Sequence, residues 1–510
     1  TPSETGAAAL VSEGVSAGVC CFATSLVLAW SESKITCMTP PDTSADAVTA
    51  PDQEAVDRLA AAVAGGLPTT IADLSALVRI PSVSWPAFDP THVVASADAV
   101  AGLLAGLGVF DDVSVHRATT PSGDDGQPAV LATRAPRNGK PTVLLYAHHD
   151  VQPPGADEHW ETPPFEPTLR GDRLHGRGAS DDKAGIMTHV AAIRALVEAE
   201  GDDLDLGLAV FIEGEEEAGS RSFSDFLATH HDALAADVIV VADSDNWDVD
   251  TPSITIALRG NVTFRLTVRT LDHASHSGMF GGAVPDAMMA AVRLLDSLWD
   301  ERGSVAVAGL ASTEMETPAY DDARLAEEAA LLPGVSAVGT GPILTRLWAQ
   351  PSITVTGIDA PSVANASNTL LPEVSVRISA RIAPGQTAAD AYRALEAHIQ
   401  GNRPFGAHVE ISDVDQGDPF LVDTTGWAMA EAMAAMTAGW GRAPVQAGIG
   451  GSIPFIADLV EAFPSAQILV TGVEDPDTRA HSPNESQHLG VLQRAILSEA
   501  VLLSRIARRS

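Results

Sequence analysis

From Gln53 to Val78 apolar residues recur at helical spacing, at Val56, Leu59, Ala62 and Val63 and again at Ile71, Leu74 and Leu77. That spacing predicts two short helices. Val93–Leu107 reads as another. Val113–His116 and Ala129–Thr133 read as strands, and Thr142–Ala147 as a buried one. Then come a helix over Lys183–Glu198, a strand over Leu206–Ile212, a short helix over Phe223–His230 and a strand over Val238–Ala242. Strands alternating with helices imply a mainly parallel sheet whose working edge lies at the strands' carboxyl ends.

The period changes after Arg259-Gly260. Asn261–Arg269, Ser352–Thr356, Glu373–Ile382 and His408–Val414 alternate between apolar and polar residues, so each is a strand with one wet face. Helices are expected over Pro285–Asp300 and Ala388–Ile399. This is a small α+β layer inserted between two halves of an α/β domain. The α/β pattern resumes with a helix at Trp427–Ala438, a strand at Gln467–Thr471 and a closing helix at Val491–Arg508. The expected division is an irregular extension over 1–53, a first α/β part over 54–258, the inserted layer over 259–415 and a second α/β part over 416–510. No internal repeat is visible.

At 510 residues the chain is long for one core, and its 45% hydrophobic content allows ample burial. A net charge of −37 argues against nucleic-acid and anionic-membrane partners and otherwise speaks to solubility. The three cysteines, Cys20, Cys21 and Cys37, all precede residue 40, so the main body has neither a disulfide framework nor a cysteine nucleophile. Val15–Trp30 is apolar but short for a membrane span, and Glu4 and Glu13 stand where a secretory signal carries basic residues. A natural start at Met38 is the expectation, testable by N-terminal sequencing of native protein, and a cytoplasmic location goes with it.

The candidate chemistry lies in five segments. His148 and Asp150 follow the strand over Thr142–Ala147, and Asp181 follows Gly176-Arg177-Gly178. Glu216 and Glu217 follow the strand over Leu206–Ile212, and Asp243 follows Val238–Ala242. His481 lies past the last strand, in Ala480-His481-Ser482-Pro483-Asn484-Glu485. Two imidazoles and several carboxylates at strand ends suit two divalent cations sharing one carboxylate. An acid two residues beyond a ligand histidine can hold its second nitrogen. Two adjacent acids can divide the labour, one binding metal and one taking a proton from water. Some choices stay open on the residues alone. Asp181 could be a helix N-cap, with Asp182 as a first-turn acid complementing the helix dipole. Glu215 extends the acid run, Asp245 competes with Asp243, and His149 reads as structural.

These motifs, in this order and spacing, resemble the dinuclear-metal peptidase and deacylase family of carnosinases, bacterial dipeptidases, glutamate carboxypeptidases, acetylornithine deacetylases and succinyl-diaminopimelate desuccinylases. The likeness runs from about Ile71 to the C-terminus, and it is strongest to the dipeptidase branch. It implies a zinc-peptidase-like catalytic domain with the inserted α+β layer as a lid and dimerisation domain. By the resemblance His148, Asp181 and Asp243 hold one metal, and Asp181, Glu217 and His481 hold the other, with Asp181 bridging. Asp150 would orient His148, and Glu216 would be the general base. His276, in Ser275-His276-Ser277-Gly278, would reach a partner subunit's site and stabilise the oxyanion. Arg381 would bind the substrate carboxylate, a task suited to a bidentate guanidinium. Ser452, in Gly450-Gly451-Ser452, and Asn368 or Thr369 would add substrate contacts. The implied cofactors are two divalent cations, zinc foremost, with manganese or cobalt also suited.

Three positions depart from the pattern. Ala147 and Ala184 stand where glycine is frequent, and both are small. Ile449 stands where carnosinase-like members often carry an acid, which bears on how a free substrate amine is read. The expected activity is hydrolysis of dipeptides or similar small peptides with a free C-terminal carboxylate, by a homodimer. The alternatives are an N-acyl amino acid deacylase of the same family, a metal-dependent phosphoesterase, which also pairs cations, and a non-catalytic binding protein.

Overall fold

The computed structural model describes residues 52–509 except 203, 316 and 451–453. The N-terminal extension with its cysteines, the Met38 start and Ser452 lie outside the described residues. A nine-stranded sheet forms the larger layer. At its centre Gly207–Glu213, Thr142–His148, Val238–Val241 and Gln467–Thr471 run parallel, side by side in that order. Antiparallel strands flank them: Ala129–Arg134 and Asp112–His116 on one side, Ser253–Leu258 on the other. Every residue of Gly207–Glu213 is buried, as expected of a strand covered on both faces.

Helices Gln53–Val78, Lys183–Glu200, Trp427–Trp440 and Leu489–Arg508 share one hydrophobic cluster with the central strands. The first is one helix of 26 residues, where the spacing predicted two. Pro68 lies inside it and breaks the hydrogen bond to Ala64, but both residues are exposed, so water replaces the lost bond. Its apolar stripe of Leu59, Val63, Leu74 and Leu77 packs in the core and holds the two halves in line. This helix is long and apolar enough to cross a membrane by length and composition, yet that stripe is occupied by protein.

The smaller layer is an antiparallel sheet ordered Ser352–Asp359, Glu373–Ile382, Gly260–Arg269, His408–Gly417. Burial alternates along Glu373–Ile382, leaving Val374, Val376, Ile378, Ala380 and Ile382 on the inner face. Helices Ala287–Asp296 and Ala388–Gly401 cover that face through Ala287, Ala290, Ala291 and Leu294 and through Ala388, Ala391, Leu395 and Ile399. These residues form a hydrophobic cluster of their own. The first of the two helices is shorter than the expected Pro285–Asp300. Asp286 accepts from the Met289 N–H at 2.7 Å and caps its start. At its other end Asp300 turns the chain by accepting from the amides of Arg302 and Ser304.

Candidate metal centre

The parallel strands deliver their acid and histidine residues to one edge. His148 ends its strand, and Asp150 follows two residues on. Glu216 and Glu217 lie in a short 3-10 turn beyond Gly207–Glu213, and Asp243 lies two residues past Val241. Asp181 sits just before the helix Lys183–Glu200, whose first turn is pressed against the neighbouring strand end. A Cβ at Gly185 would stand 2.3 Å from the Ala242 carbonyl oxygen, so only glycine permits that approach.

Asp181 is the centre of the cluster. Its Oδ1 lies 3.1 Å from His148 Nε2, and its Oδ2 lies 2.9 Å from His481 Nε2. His148 Nε2 is also 4.0 Å from Asp243 Oδ1 and 3.9 Å from Glu216 Oε2. His481 Nε2 is 3.4 Å from Glu217 Oε2. The donor atoms of His148, Asp181 and Asp243 fall within 4.8 Å of one another, and so do those of Asp181, Glu217 and His481. The two triads share one carboxylate.

The open choices among neighbouring acids are resolved by hydrogen bonds. Asp182, not Asp181, is the N-cap: its Oδ1 accepts from Gly185 N at 3.1 Å and its Oδ2 from His148 N at 3.2 Å. Glu215 is buried and accepts from Ser222 N at 2.7 Å and from Arg221 Nη2 at 3.0 Å, so it holds the turn. Asp245 belongs to neither triad and forms an isolated bridge with Glu474. His149 is buried with Nε2 2.8 Å from the Pro128 carbonyl, and burial pushes it down to about 4, so it stays neutral.

Asp150 does more than face His148. Its Oδ1 is 3.3 Å from His148 Nδ1, and the same oxygen accepts from Glu216 N at 3.2 Å. Its Oδ2 accepts from Glu217 N at 3.1 Å and from Ser84 Oγ at 2.6 Å. Asp150 thereby sets the imidazole, whose Nδ1 also lies 3.1 Å from its main-chain carbonyl, and its carboxylate sets the backbone of both glutamates.

The electrostatics call for cations. Burial, then the charge of Asp181, pushes Glu217 up to about 10. Burial also raises Asp243 to about 6 and lifts Glu216 well above the carboxylate range. Asp181 goes the other way: burial would raise it, but hydrogen bonds from His148 and His481 hold it low. Glu217 Oε1 is buried without a hydrogen-bond partner. Four buried or half-buried carboxylates with the buried His148, the exposed His481 and an orphaned oxygen fit two divalent cations with nitrogen and oxygen ligands.

The smaller layer contributes a second group. His276 and Thr369 pair in a two-stranded ladder, and the Asn368 carbonyl accepts from Ser277 N at 3.0 Å. His276 and Asn368 thus meet across a long stretch of sequence, and both are exposed. Among the described residues no hydrogen bond or ion pair joins His276 to the acid cluster. Arg381 lies opposite Ser352 and Asn261 in the ladder, and burial lowers its pKa. Ile449 packs against an apolar cluster.

The sequence reading overlooked several residues. Gln152 donates to Glu217 Oε2 at 2.6 Å. Arg259 is buried, and burial and the charge of Arg381 pull it down to about 10. It donates to the carbonyls of Gly450 at 3.1 Å and Gln350 at 3.3 Å and to Ser352 Oγ at 3.1 Å. The one local signal for it was its place at the boundary between the two sequence periods.

The chain is similar to known proteins in sequence and in fold. Residues 144–505 match the profile of peptidase family M20/M25/M40. The chain is 34% identical over 425 residues to cysteinylglycine-S-conjugate dipeptidase of Corynebacterium striatum, covering 82% of this chain and 91% of that protein. It is 28% identical over 381 residues to Beta-Ala-His dipeptidase of Homo sapiens, covering 71% and 75%. Its fold matches the solved structures of di-peptidase Dug1p of Saccharomyces cerevisiae and of human carnosine dipeptidase 1, each with a TM-score of 0.72 and covering 89% of this chain and 99% of the other, at 22% and 24% identity.

Proposed function

The chain belongs to the M20/M25/M40 peptidase family, and from that premise we propose that it hydrolyses the amide bond of dipeptides or similar small peptides with a free C-terminal carboxylate, using two divalent cations. The observation that carries the reading is the division of Asp181 between two triads, one oxygen toward each imidazole. His148, Asp181 and Asp243 would hold one cation, and Asp181, Glu217 and His481 the other. Zinc suits this ligand set, with manganese or cobalt as substitutes. Bound there, the cations supply Lewis-acid polarisation of the scissile carbonyl and make water a stronger acid.

The chain's own residues do the rest. Glu216 lies beside both triads and belongs to neither, which suits it to move a proton. It takes the proton of the attacking water as the new C–O bond forms. It then delivers that proton to the amine nitrogen as the C–N bond breaks. Asp150 keeps Glu216 and His148 in register. Arg381 would anchor the substrate carboxylate, with Ser452 and Asn368 as further contacts, and the smaller layer would act as a lid. The exposure of His276 is what a residue serving the oxyanion in a partner subunit requires, so the reading includes a homodimer. A cytoplasmic location accords with the lack of cysteine after Cys37.

The relatives compared above are dipeptidases, so neither the deacylase nor the phosphoesterase alternative gains support. The test is turnover of purified, metal-reconstituted protein on a panel of dipeptides and acetyl- and succinyl-amino acids, with and without chelator. Chelator-sensitive dipeptide cleavage is expected. Cleavage of acyl amino acids alone would transfer the protein to the deacylase branch. No turnover with metal bound would overturn the reading.

A further inference from the structure

His481 sits in a loop that its own backbone does not favour. Arg479, His481 and Asn484 all have left-handed backbone, with φ of 61°, 60° and 67°. Non-glycine residues adopt that conformation only when their surroundings impose it. The imposing contact is a buried ion pair. Glu485 is fully buried, and its Oε2 accepts from Arg177 Nη1 at 2.5 Å and from Gly178 N at 3.0 Å. Its Oε1 accepts from Ser180 N at 3.0 Å and Asp181 N at 3.1 Å. Arg177, 1% exposed, donates in turn to the Ser482 carbonyl at 3.3 Å. One side chain of the His481 loop thus gathers the amides of the Asp181 loop. One side chain of the Asp181 loop holds the residue after His481.

We propose that the Arg177–Glu485 pair is the positioning element of one metal subsite, setting the reach between His481 and the bridging Asp181. It rests on the two-cation reading above. A buried ion pair often breaks about even against an apolar replacement, so stability does not account for it. The two loops it ties carry two of the three ligands of the Asp181, Glu217 and His481 triad. The other triad shares Asp181 but takes His148 and Asp243 from strand ends held by the sheet ladder, which the pair does not touch. Loss of the pair therefore weakens the His481 subsite more than the other.

The test is stepwise cobalt(II) titration of the metal-free full-length protein, followed by competition binding and by the visible d–d spectrum. Two variants are compared with the wild type. Glu485→Gln replaces one acceptor oxygen with a donor, and Arg177→Lys keeps the charge but cannot span Glu485 and Ser482 together. The wild type should bind two equivalents. In each variant one equivalent should weaken about 10–100-fold, as loss of an outer-shell partner does, with its d–d bands altered. The other equivalent should weaken less, because of its three ligands only Asp181 lies in a tied loop. Equal weakening of both equivalents, or of neither, overturns the proposal. If Glu485→Gln fails to fold, Arg177→Lys decides alone by the same criterion. A wild type that binds fewer than two equivalents overturns the two-cation reading itself.

Discussion

Removing the cations should leave a protein that becomes less stable as pH rises, with Glu217 the group to follow. An ordinary glutamate loses its proton near 4.5, whereas burial and the Asp181 charge keep the folded Glu217 protonated up to about 10. Between those values the native state binds more protons than the unfolded chain, so stability falls as pH rises. From pH 5 to pH 8 the difference is about 3 units at about 1.4 kcal/mol each, or about 4 kcal/mol from this side chain. An unfolding entropy of roughly 2 cal/mol/K per residue over roughly 450 residues makes this about 4 °C in Tm. The raised pKa values of Asp243, His148 and His481 act in the same direction and the lowered ones of His149 and Lys183 act against it, so the share of Glu217 is read from the difference between the chelated wild type and a variant without its carboxylate. The measurement is thermal unfolding of chelated wild type and chelated Glu217→Gln between pH 5 and pH 8. The variant has no carboxylate to ionise there, so its Tm should fall less steeply by about 4 °C over that range, and zinc should flatten the wild-type curve. Parallel curves for the two chelated proteins would refute the claim that Glu217 holds its proton in the metal-free fold.

Glu216→Gln should lower turnover by about 10²–10⁴-fold, the usual worth of a general base, while metal content measured by mass spectrometry stays at the wild-type value. Loss of metal along with turnover would mean that Glu216 is a ligand. Arg381→Met should raise KM for free dipeptides by about 10–100-fold, the worth of a charged hydrogen bond, and leave C-terminally amidated dipeptides unchanged. An equal effect on both substrates would remove Arg381 from carboxylate recognition. Asp150→Asn should weaken zinc binding by about 10–100-fold in competition titrations, because one amide oxygen cannot serve His148, Ser84 and the amides of Glu216 and Glu217 together.

The strands that carry the candidate ligands were legible because a buried parallel strand is a short apolar run, and three such runs end abruptly in acids or histidines. Alternation likewise marked the four strands of the smaller layer, of which Glu373–Ile382 buries every second residue. Elements without a clear period escaped. Val445–Ile449 contains Gln446 and Gly448, and it is a strand because it lies parallel beside Ser253–Leu258. Gly65, Gly66 and Pro68 interrupt the pattern of the first helix, but packing of its stripe against the core prevails over local propensity. Ser84, Gln152 and Glu485 escaped for another reason. Their partners lie 66, 65 and 304–308 residues away, and a single polar residue in a loop carries no trace of so distant a contact.

Asp181 and Asp182 mark the limit most sharply. They are chemically identical neighbours at the start of one helix, and both are buried. No rule of composition or spacing tells the ligand from the cap. What separates them is the fate of their oxygens. Asp182 spends both on backbone amides, those of Gly185 in its own helix and His148 on the adjacent strand, and so welds the helix to that strand. Asp181 is left with both oxygens toward imidazoles, which is the geometry a bridging carboxylate needs. The cap therefore places the candidate ligand. Asp182 anchors the helix start where Asp181 stands, so on the two-cation reading the acid that binds no metal is as necessary to the centre as the one that would.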